Sequence, residues 1–176
     1  AIVGEDGKML PTGQAGEIAG YGAGIMDGYY KRDAMTQDLI WRDARGRSFI
    51  RSGDIGQLDE AGFLTLVDRK KDMIISGGFN VFPKDLEEVI GEHPAVFDVA
   101  VSGVADERWG ETPRALVIPK SDKQPSTALA IEITNWANQR LAKHQRIGET
   151  RFMDDFPRNA LGKVLKKNLR NSSANS

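Results

Sequence analysis

The chain has 176 residues, of which 40% are hydrophobic, and its 24 basic and 25 acidic side chains leave a formal net charge of −1. This balance predicts no general attraction to nucleic acid or to an anionic membrane surface. The absence of cysteine excludes disulfides, thiolate metal sites and a cysteine nucleophile. No apolar run reaches the roughly 18 residues needed to span a bilayer, and the N-terminus lacks the pattern of a signal peptide. We therefore expect a cytoplasmic protein without an integral membrane segment.

The first region, residues 1–68, is rich in glycine and in short β-like runs. It begins at Ala1 within strand-like sequence, which predicts a chain cut from a longer protein, although methionine removal or a proteolytic nick would give the same start. Residues 55–58 and 63–67 flank a short polar connection that ends in Gly62. This pattern predicts a β-hairpin.

The second region, residues 69–176, changes to alternating strands and helices. Pro83 is typical of the first turn of a helix, and apolar residues at helical spacing follow it as far as Gly91. The tail NSSANS is low in complexity and is expected to be disordered. We predict an α+β fold with a domain boundary near Asp68. The other predicted elements are strands over 96–104 and 114–118, a second helix with Leu129, Ile133, Trp136, Ala137 and Arg140 on one side, and a last helix over 163–171 with Leu165 and Leu169 four residues apart.

Two polar residues are candidates for chemistry, and each also has a simpler interpretation. Asp54, in RSGD, is typical of a carboxylate that bonds its own turn, but it could also accept hydrogen bonds from paired hydroxyls. Lys163 follows a glycine and is typical of a solvated lysine. A phosphate-loop motif is excluded here, because Pro157 and Val164 stand where that motif requires glycine and a hydroxyl residue.

The remaining candidates also have plain structural interpretations. His93 and His144 are far apart in the sequence and lack metal-ligand spacing, so we predict no metal site from them. Trp109, in DERWGE, is typical of a loop tryptophan packed on a neighbour. A basic run near the C-terminus is typical of the solvated face of a helix, and it consists of Lys163, Lys166, Lys167 and Arg170.

The order of the motifs is more specific than any one of them. The segments SGDIG, DRKKDMIISGGFNVFPKDLEEVI, VADERWGE and FPRNALGKVLKKNLR follow one another along the chain. In this order they resemble the closing third of an adenylate-forming enzyme, the superfamily that includes acyl-CoA synthetases, firefly luciferase and peptide-synthetase adenylation domains. The resemblance covers nearly the whole chain. The segment SGGFNVFPKDLEEVI is most similar to medium- and long-chain fatty acyl-CoA synthetases.

The resemblance implies a two-step reaction and a moving domain. Residues 1–68 would be the β-rich end of a large N-terminal AMP-binding domain, and residues 69–176 a small mobile C-terminal domain. The hinge would lie near 68–72, with Lys71 as the pivot. The implied substrates are a carboxylic acid, such as a fatty acid, together with ATP and coenzyme A. The expected Mg²⁺ would be bound by residues upstream of this chain, and the resemblance is compatible with a homo-oligomer.

The resemblance also implies roles for single residues in the nucleotide site. Asp54 resembles the aspartate that holds the ribose hydroxyls of ATP, and Arg69 resembles a second ribose contact. Lys163 matches the lysine that enters the site for adenylation. An ammonium can bridge the attacking carboxylate and the phosphate charge, which stabilises the transition state electrostatically.

A second set of residues would serve coenzyme A. Gly77 and Gly78 match the glycines that line a narrow tunnel for pantetheine, where backbone without side chains can approach closely. Trp109 aligns with a position that some relatives use near this channel. Residues 144–146, including Arg146, fall where other relatives contact the nucleotide of coenzyme A.

Departures from the family pattern leave rival functions open. Ser52 and Asn159 stand where relatives usually have threonine, and the phosphate loop and acid pocket lie outside the chain, so we expect the fragment alone to be inactive. One rival is a peptide-synthetase adenylation domain, although no carrier-like segment follows. The other is an interaction module that has lost catalysis, which would have no need of Asp54, Lys163 or the glycine pair.

Overall fold

A computed structural model describes residues 1–171, with side chains through Leu169. The chain divides into two compact units after Lys71, and each unit has its own sheet. The tail NSSANS lies outside the described residues apart from Asn171. Because helices combine with mostly antiparallel sheets, the predicted α+β fold class is confirmed. Within residues 1–171, no helix is long and apolar enough to cross a membrane.

The first unit is an antiparallel sheet centred on its longest strand. That strand, β4, pairs with β2 along one edge and with β3 and β5 along successive parts of the other edge, and β1 extends the sheet beyond β2. The β4–β5 hairpin predicted from the sequence is confirmed. The elements are β1 (Ile2–Val3), β2 (Gly16–Gly20), α1 (Asp33–Leu39), β3 (Ile40–Arg42), β4 (Ser48–Leu58) and β5 (Leu64–Arg69).

The second unit is built around β9, which pairs antiparallel with β8 along its length. Its other edge pairs in parallel with β10 and, at Gly110, antiparallel with β6. The strand β7 lies outside β6. The elements are β6 (Ile74–Ser76), β7 (Phe79–Val81), α2 (Pro83–Gly91), β8 (Val96–Asp106), β9 (Gly110–Pro119), α3 (Thr127–Asn138), β10 (Glu149–Phe152) and α4 (Lys166–Asn171).

Two hydrophobic clusters cover the two faces of this second sheet. On one face, Leu86 and Ile90 of α2 and Ile133 of α3 are fully buried against the strands. On the other face, Phe156 and Leu169 pack against the strands. Burial of one such side chain contributes about 1.5–3 kcal/mol, so the helical spacing in the sequence marks residues on which the fold depends.

The structure corrects the bounds of the last two helices. The predicted last helix began at Lys163, but α4 begins at Lys166, because the N–H of Leu165 donates to the carbonyl of Pro157 at 2.7 Å and closes a loop there. The helix α3 ends at Asn138, so Arg140 lies beyond it. The predicted bounds were wrong because residues at helical spacing, such as Arg140 and Leu165, also occur in the segments that flank each helix.

The β6–β7 hairpin turns on the glycine pair. Gly77 and Gly78 have φ angles of +58° and +82°, which is the type I′ geometry that suits a two-residue hairpin. A Cβ added at Gly77 would lie 2.6 Å from Cε3 of Trp109, whereas one added at Gly78 would meet nothing within 4 Å. Glycine is therefore required at both positions by the backbone, and at Gly77 also by the tryptophan ring.

Replacing the two glycines singly separates these requirements. Each alanine is expected to cost roughly 1–2 kcal/mol because of its left-handed backbone. Gly77→Ala should cost more than Gly78→Ala and should also shift the indole N–H resonance of Trp109, because the ring must move. Denaturant titrations and NMR of the two variants provide the check, and an equal effect of both on Trp109 would contradict the packing described here.

His93 is a buried histidine that the fold holds neutral. It is 4% exposed, and its Nδ1 accepts the N–H of Ala95 at 3.2 Å, which requires an unprotonated nitrogen. Burial lowers the pKa of His93 below its ordinary value of 6.5; the carboxylate of Glu132 opposes this shift, and the positive charges of Arg140 and Lys120 add to it. The folded protein therefore binds this proton less readily than the unfolded chain does.

The stability of the protein should depend on this histidine in mildly acidic solution. As the pH falls below 6.5, the unfolded chain takes up a proton that the folded chain rejects, so the free energy of unfolding decreases. The contribution is fully present above that pH. Replacement of His93 by glutamine should reduce the dependence, as measured by urea unfolding between about pH 7.5 and 5. Identical pH profiles for the two proteins would show that His93 is not responsible.

Candidate functional site

Asp54 and Arg69 form an ion pair across the β4–β5 hairpin. They are register partners, and Nε of Arg69 lies 2.9 Å from Oδ1 of Asp54. Gly53, with φ of +74°, and the Oγ of Ser52, which accepts the N–H of Asp54 at 3.1 Å, shape the strand there. The side chain of Asp54 remains about one-third exposed. The structure thus holds a carboxylate in one orientation while leaving it open to a ligand.

Lys71 lies directly after this hairpin. It occupies the middle of a single 3-10 turn over residues 70–72, its side chain is exposed, and it is the last residue of the first compact unit. A pivot would require a position of this kind, in a short turn at the boundary of a compact unit. The role of Lys71 as the hinge stays a prediction.

Lys163 is presented by a closed loop. The side-chain oxygen of Asn159 accepts the N–H groups of Leu161 and Lys163 at 3.0 and 2.9 Å, and Gly162 adopts a left-handed φ of +79°. The guanidinium of Arg158 donates to the carbonyl of Gly162 at 3.0 Å. The backbone of Lys163 is therefore held by several hydrogen bonds, while its side chain is exposed to solvent.

A cavity of about 560 Å³ opens in the second unit beside the β6–β7 hairpin. The ring of Phe79 stacks on His144 with centroids 5.0 Å apart. Trp109 lies directly before β9, and its carbonyl accepts the N–H of Gly77 at 2.9 Å. The lining residues are Ser76, Phe79, Trp109, Thr112, Asn138, Lys143, His144, Arg146, Ile147 and Gly148. An open cavity lined by flat rings suits a planar ligand group such as a nucleobase.

The charge of the cavity favours anions. Lys143 and Arg146 line it together with His144, and none of the ten lining residues is acidic. The loop that carries them is fixed by Asn138, whose amide donates to the carbonyl of Ile147 and accepts its N–H, both at 2.9 Å. A ligand with phosphate groups would find the cations of Lys143 and Arg146 on a loop whose end the fold fixes.

The cavity unites some of the predicted residues and not others. Trp109 and Arg146 both line it, and the hairpin turn at Gly77–Gly78 adjoins it through the hydrogen bond to Trp109. Lys163 is not among the lining residues. Sequence reasoning missed Phe79 and Lys143, although an aromatic residue directly after a glycine pair is a usable signal for an exposed ring at a turn. Among residues 1–171, no cluster of three or more acidic or histidine side chains could hold a metal ion.

Comparisons with known proteins relate this chain to one group of enzymes. Residues 85–163 match the family described as the AMP-binding enzyme C-terminal domain. The chain is 38% identical over 166 residues to 2-succinylbenzoate–CoA ligase from Bacillus mycoides, covering 94% of this chain and 32% of that protein. It thus spans about a third of the length of the curated relatives it matches.

Two solved structures extend the similarity. One is o-succinylbenzoate CoA synthetase from Bacillus subtilis in complex with its acyl-adenylate intermediate, with 34% identity and a TM-score of 0.78 over 96% of this chain and 33% of that chain. The other is a Mycobacterium tuberculosis fatty acyl CoA synthetase, with 37% identity and a TM-score of 0.61 over 98% of this chain and 32% of that chain. The chain therefore belongs to the adenylate-forming superfamily, and it carries the AMP-binding C-terminal domain found in CoA ligases.

Proposed function

We propose that this chain is the C-terminal part of an ATP-dependent acid–CoA ligase. In the first half-reaction, a carboxylate oxygen attacks the α-phosphorus of ATP, and the bond to pyrophosphate breaks. In the second, the sulfur of coenzyme A attacks the acyl carbon, the bond to AMP breaks, and the thiol proton is released. The observation that carries the proposal is the cavity beside the glycine turn, because its cations and rings suit the nucleotide end of coenzyme A.

The ion pair of Asp54 and Arg69 is assigned to the ribose of ATP. A carboxylate can accept two hydroxyl hydrogen bonds side by side, and Arg69 at 2.9 Å fixes the plane in which Asp54 presents its oxygens. Preorganisation of this kind lowers the entropy lost when the ligand binds. The partial exposure of both side chains supports the assignment.

Lys163 is assigned to the adenylation step. Its ammonium would bridge the incoming carboxylate and the α-phosphate, so that the negative charge of both groups is offset as they approach. The support is the loop geometry: Asn159 and Arg158 hold the backbone of Lys163 and leave the side chain exposed.

Coenzyme A is assigned to the second unit. The backbone at Gly77 and Gly78 would line the pantetheine path, Trp109 would border it, and Arg146 would contact the nucleotide phosphates. Support comes from the position of Trp109 and Arg146 in one cavity and from the close approach of the Trp109 ring to the backbone of Gly77, which a side chain at Gly77 would prevent. A domain rotation at Lys71 would bring this surface into use for the second half-reaction only.

The 176-residue chain alone should not catalyse the ligase reaction. In this proposal the ATP phosphates, the Mg²⁺ and the acid are all bound by residues outside it, so the fragment keeps only ribose contacts and should bind ATP weakly. The proposal also includes a cytoplasmic location, compatibility with a homo-oligomer and no nucleic-acid partner, as expected from the sequence. If the chain were only an interaction module, the conformations of the Lys163 loop and of the β6–β7 hairpin would serve no function.

The identity of the acid substrate is the most specific part of the proposal, and two classes of acid have support. The hairpin and α2 sequence resembles fatty acyl-CoA synthetases, and a fatty acyl CoA synthetase is among the similar structures. The similarity to 2-succinylbenzoate–CoA ligase favours an aromatic acid instead.

We expect the full-length enzyme to form acyl-CoA most efficiently from medium- or long-chain fatty acids, as checked by comparing kcat/KM across fatty, aromatic and dicarboxylic acids. A preference for 2-succinylbenzoate would reject the fatty-acid assignment and keep the ligase.

Variants at Lys163 and Lys71 should separate the two half-reactions in the full-length enzyme. Lys163→Ala should slow acyl-adenylate formation on the order of 10²-fold or more, because it removes one preorganised electrostatic contact, while thioester formation from supplied acyl-adenylate remains largely intact. Lys71→Pro should do the reverse, because fixing φ near −65° hinders rotation at the hinge. Pyrophosphate release and thioester formation are measured separately on each variant.

Lys167 provides the matched control. It lies on α4, four residues after Lys163, and its side chain is also exposed. Lys167→Ala should leave both half-reactions within about twofold of the unmodified enzyme, as surface substitutions usually do. Equal losses in both half-reactions for Lys163→Ala and Lys71→Pro would mean that the hinge assignment, the lysine assignment or the two-conformation mechanism is wrong for this protein.

A further inference from the structure

An ion pair anchors the chain immediately before the proposed hinge. Nζ of Lys70 lies 2.8 Å from Oε2 of Glu17 and donates a hydrogen bond to it. Glu17 belongs to β2, 53 residues earlier in the sequence, and its side chain is only 9% exposed. Lys70 is the first residue of the 3-10 turn that contains Lys71. The pair therefore ties the start of that turn to the sheet of the first unit.

The sheet explains why these two residues meet. Glu17 pairs with Ile55 of β4, and Ile55 pairs on its other side with Asp68 of β5. Lys70 follows Asp68 by two residues and has left the strand, so its long side chain can reach back across the sheet. The backbone pairing of β5 ends at Arg69. From the next residue on, the side chain of Lys70 continues the attachment to the sheet.

The charge balance around Glu17 gives this pair its strength. A carboxylate that is mostly buried is costly unless a cation compensates it. Arg51 of β4 supplies a second cation at longer range, with its Nη1 atom 3.7 Å from the same oxygen. Glu17 therefore holds Lys70 at close range, and Arg51 leaves the carboxylate partly compensated if Lys70 is removed, so the unit should still fold.

We propose that Lys70 and Glu17 are positioning residues, which fix the chain up to Lys70 and confine the hinge motion to the residues after it. This proposal rests on the proposed function, in which the second unit rotates between two half-reactions. A hinge works as a reproducible pivot only when its fixed end is rigid. The pairing of β5 with β4 and the ion pair of Lys70 with Glu17 provide that fixed end. Lys70 is the residue before the last residue of the first compact unit.

The structural test uses the 176-residue chain itself. In Lys70→Met, peptides covering residues 69–72 should exchange their amide hydrogens about tenfold faster than in the unmodified chain, because the turn has lost its anchor. Lys70→Arg keeps the charge and should restore slow exchange. Lys8→Met is the matched control, because it removes a lysine from an exposed ion pair with Asp6 in the same unit and should leave residues 69–72 unchanged.

Two outcomes of this exchange experiment would overturn the proposal. One is unchanged exchange at residues 69–72 in both Lys70→Met and Glu17→Gln. The other is an equal acceleration over the whole first unit in these variants, because it would mean that the pair supports overall stability and not the turn. Acceleration confined to the turn, reversed by Lys70→Arg, supports it.

The functional test uses the full-length enzyme. Lys70→Met should lower kcat for acyl-CoA formation about threefold or more while the KM for ATP stays within about twofold, since hinge variants act on conformational steps. Recovery by Lys70→Arg is expected. A change confined to the KM for ATP would overturn the proposal, because Lys70 would then act through the neighbouring ribose contact. If the unmodified enzyme formed no acyl-CoA from any acid, the proposed function would fail, and the exchange experiment would still decide the anchor.

Discussion

The pairing of β9 on both of its edges is the interaction on which the second unit depends. Its N-terminal end is the critical place, because Gly110 pairs with Ser76 on one side and with Asp106 on the other. The β6–β7 hairpin is thus attached to the sheet next to Trp109, and the loop before β10 closes the cavity from the same edge. Rings and cations meet there because one strand organises elements that are distant in the sequence.

Much of this fold follows from local patterns in the sequence. The helix that begins at Pro83 places Leu86 and Ile90 on one buried face, and the β4–β5 hairpin has a glycine at the required position. In contrast, α1 buries none of its residues and therefore leaves no apolar period in the sequence. The true start of α4 depends on a hydrogen bond from Leu165 to Pro157, which no periodicity encodes. Amphipathic elements are predictable because burial selects their residues, whereas loops closed by backbone bonds are not.

The same distinction applies to the candidate site. Asp54, Lys163 and the glycine pair stand in short motifs, so a resemblance can find them in the sequence. Phe79 and Lys143 contribute through tertiary proximity, and Glu17 depends on a lysine 53 residues away. No motif links such residues, because their relation is created by strand register and side-chain reach. Residues that stand together in a short motif can be found from the sequence, whereas residues that only the tertiary structure brings together cannot.

The double hydrogen bond between Asn138 and Ile147 has a consequence for how this protein can change over evolution. The amide of Asn138 bonds the backbone of Ile147 as a neighbouring strand would, so the path of the loop before it does not rest on the exposed side chains of Lys143 and Arg146. Those side chains can be exchanged while the loop keeps its course. The charge of this cavity is therefore free to drift by single substitutions, with little loss of folding stability to oppose it.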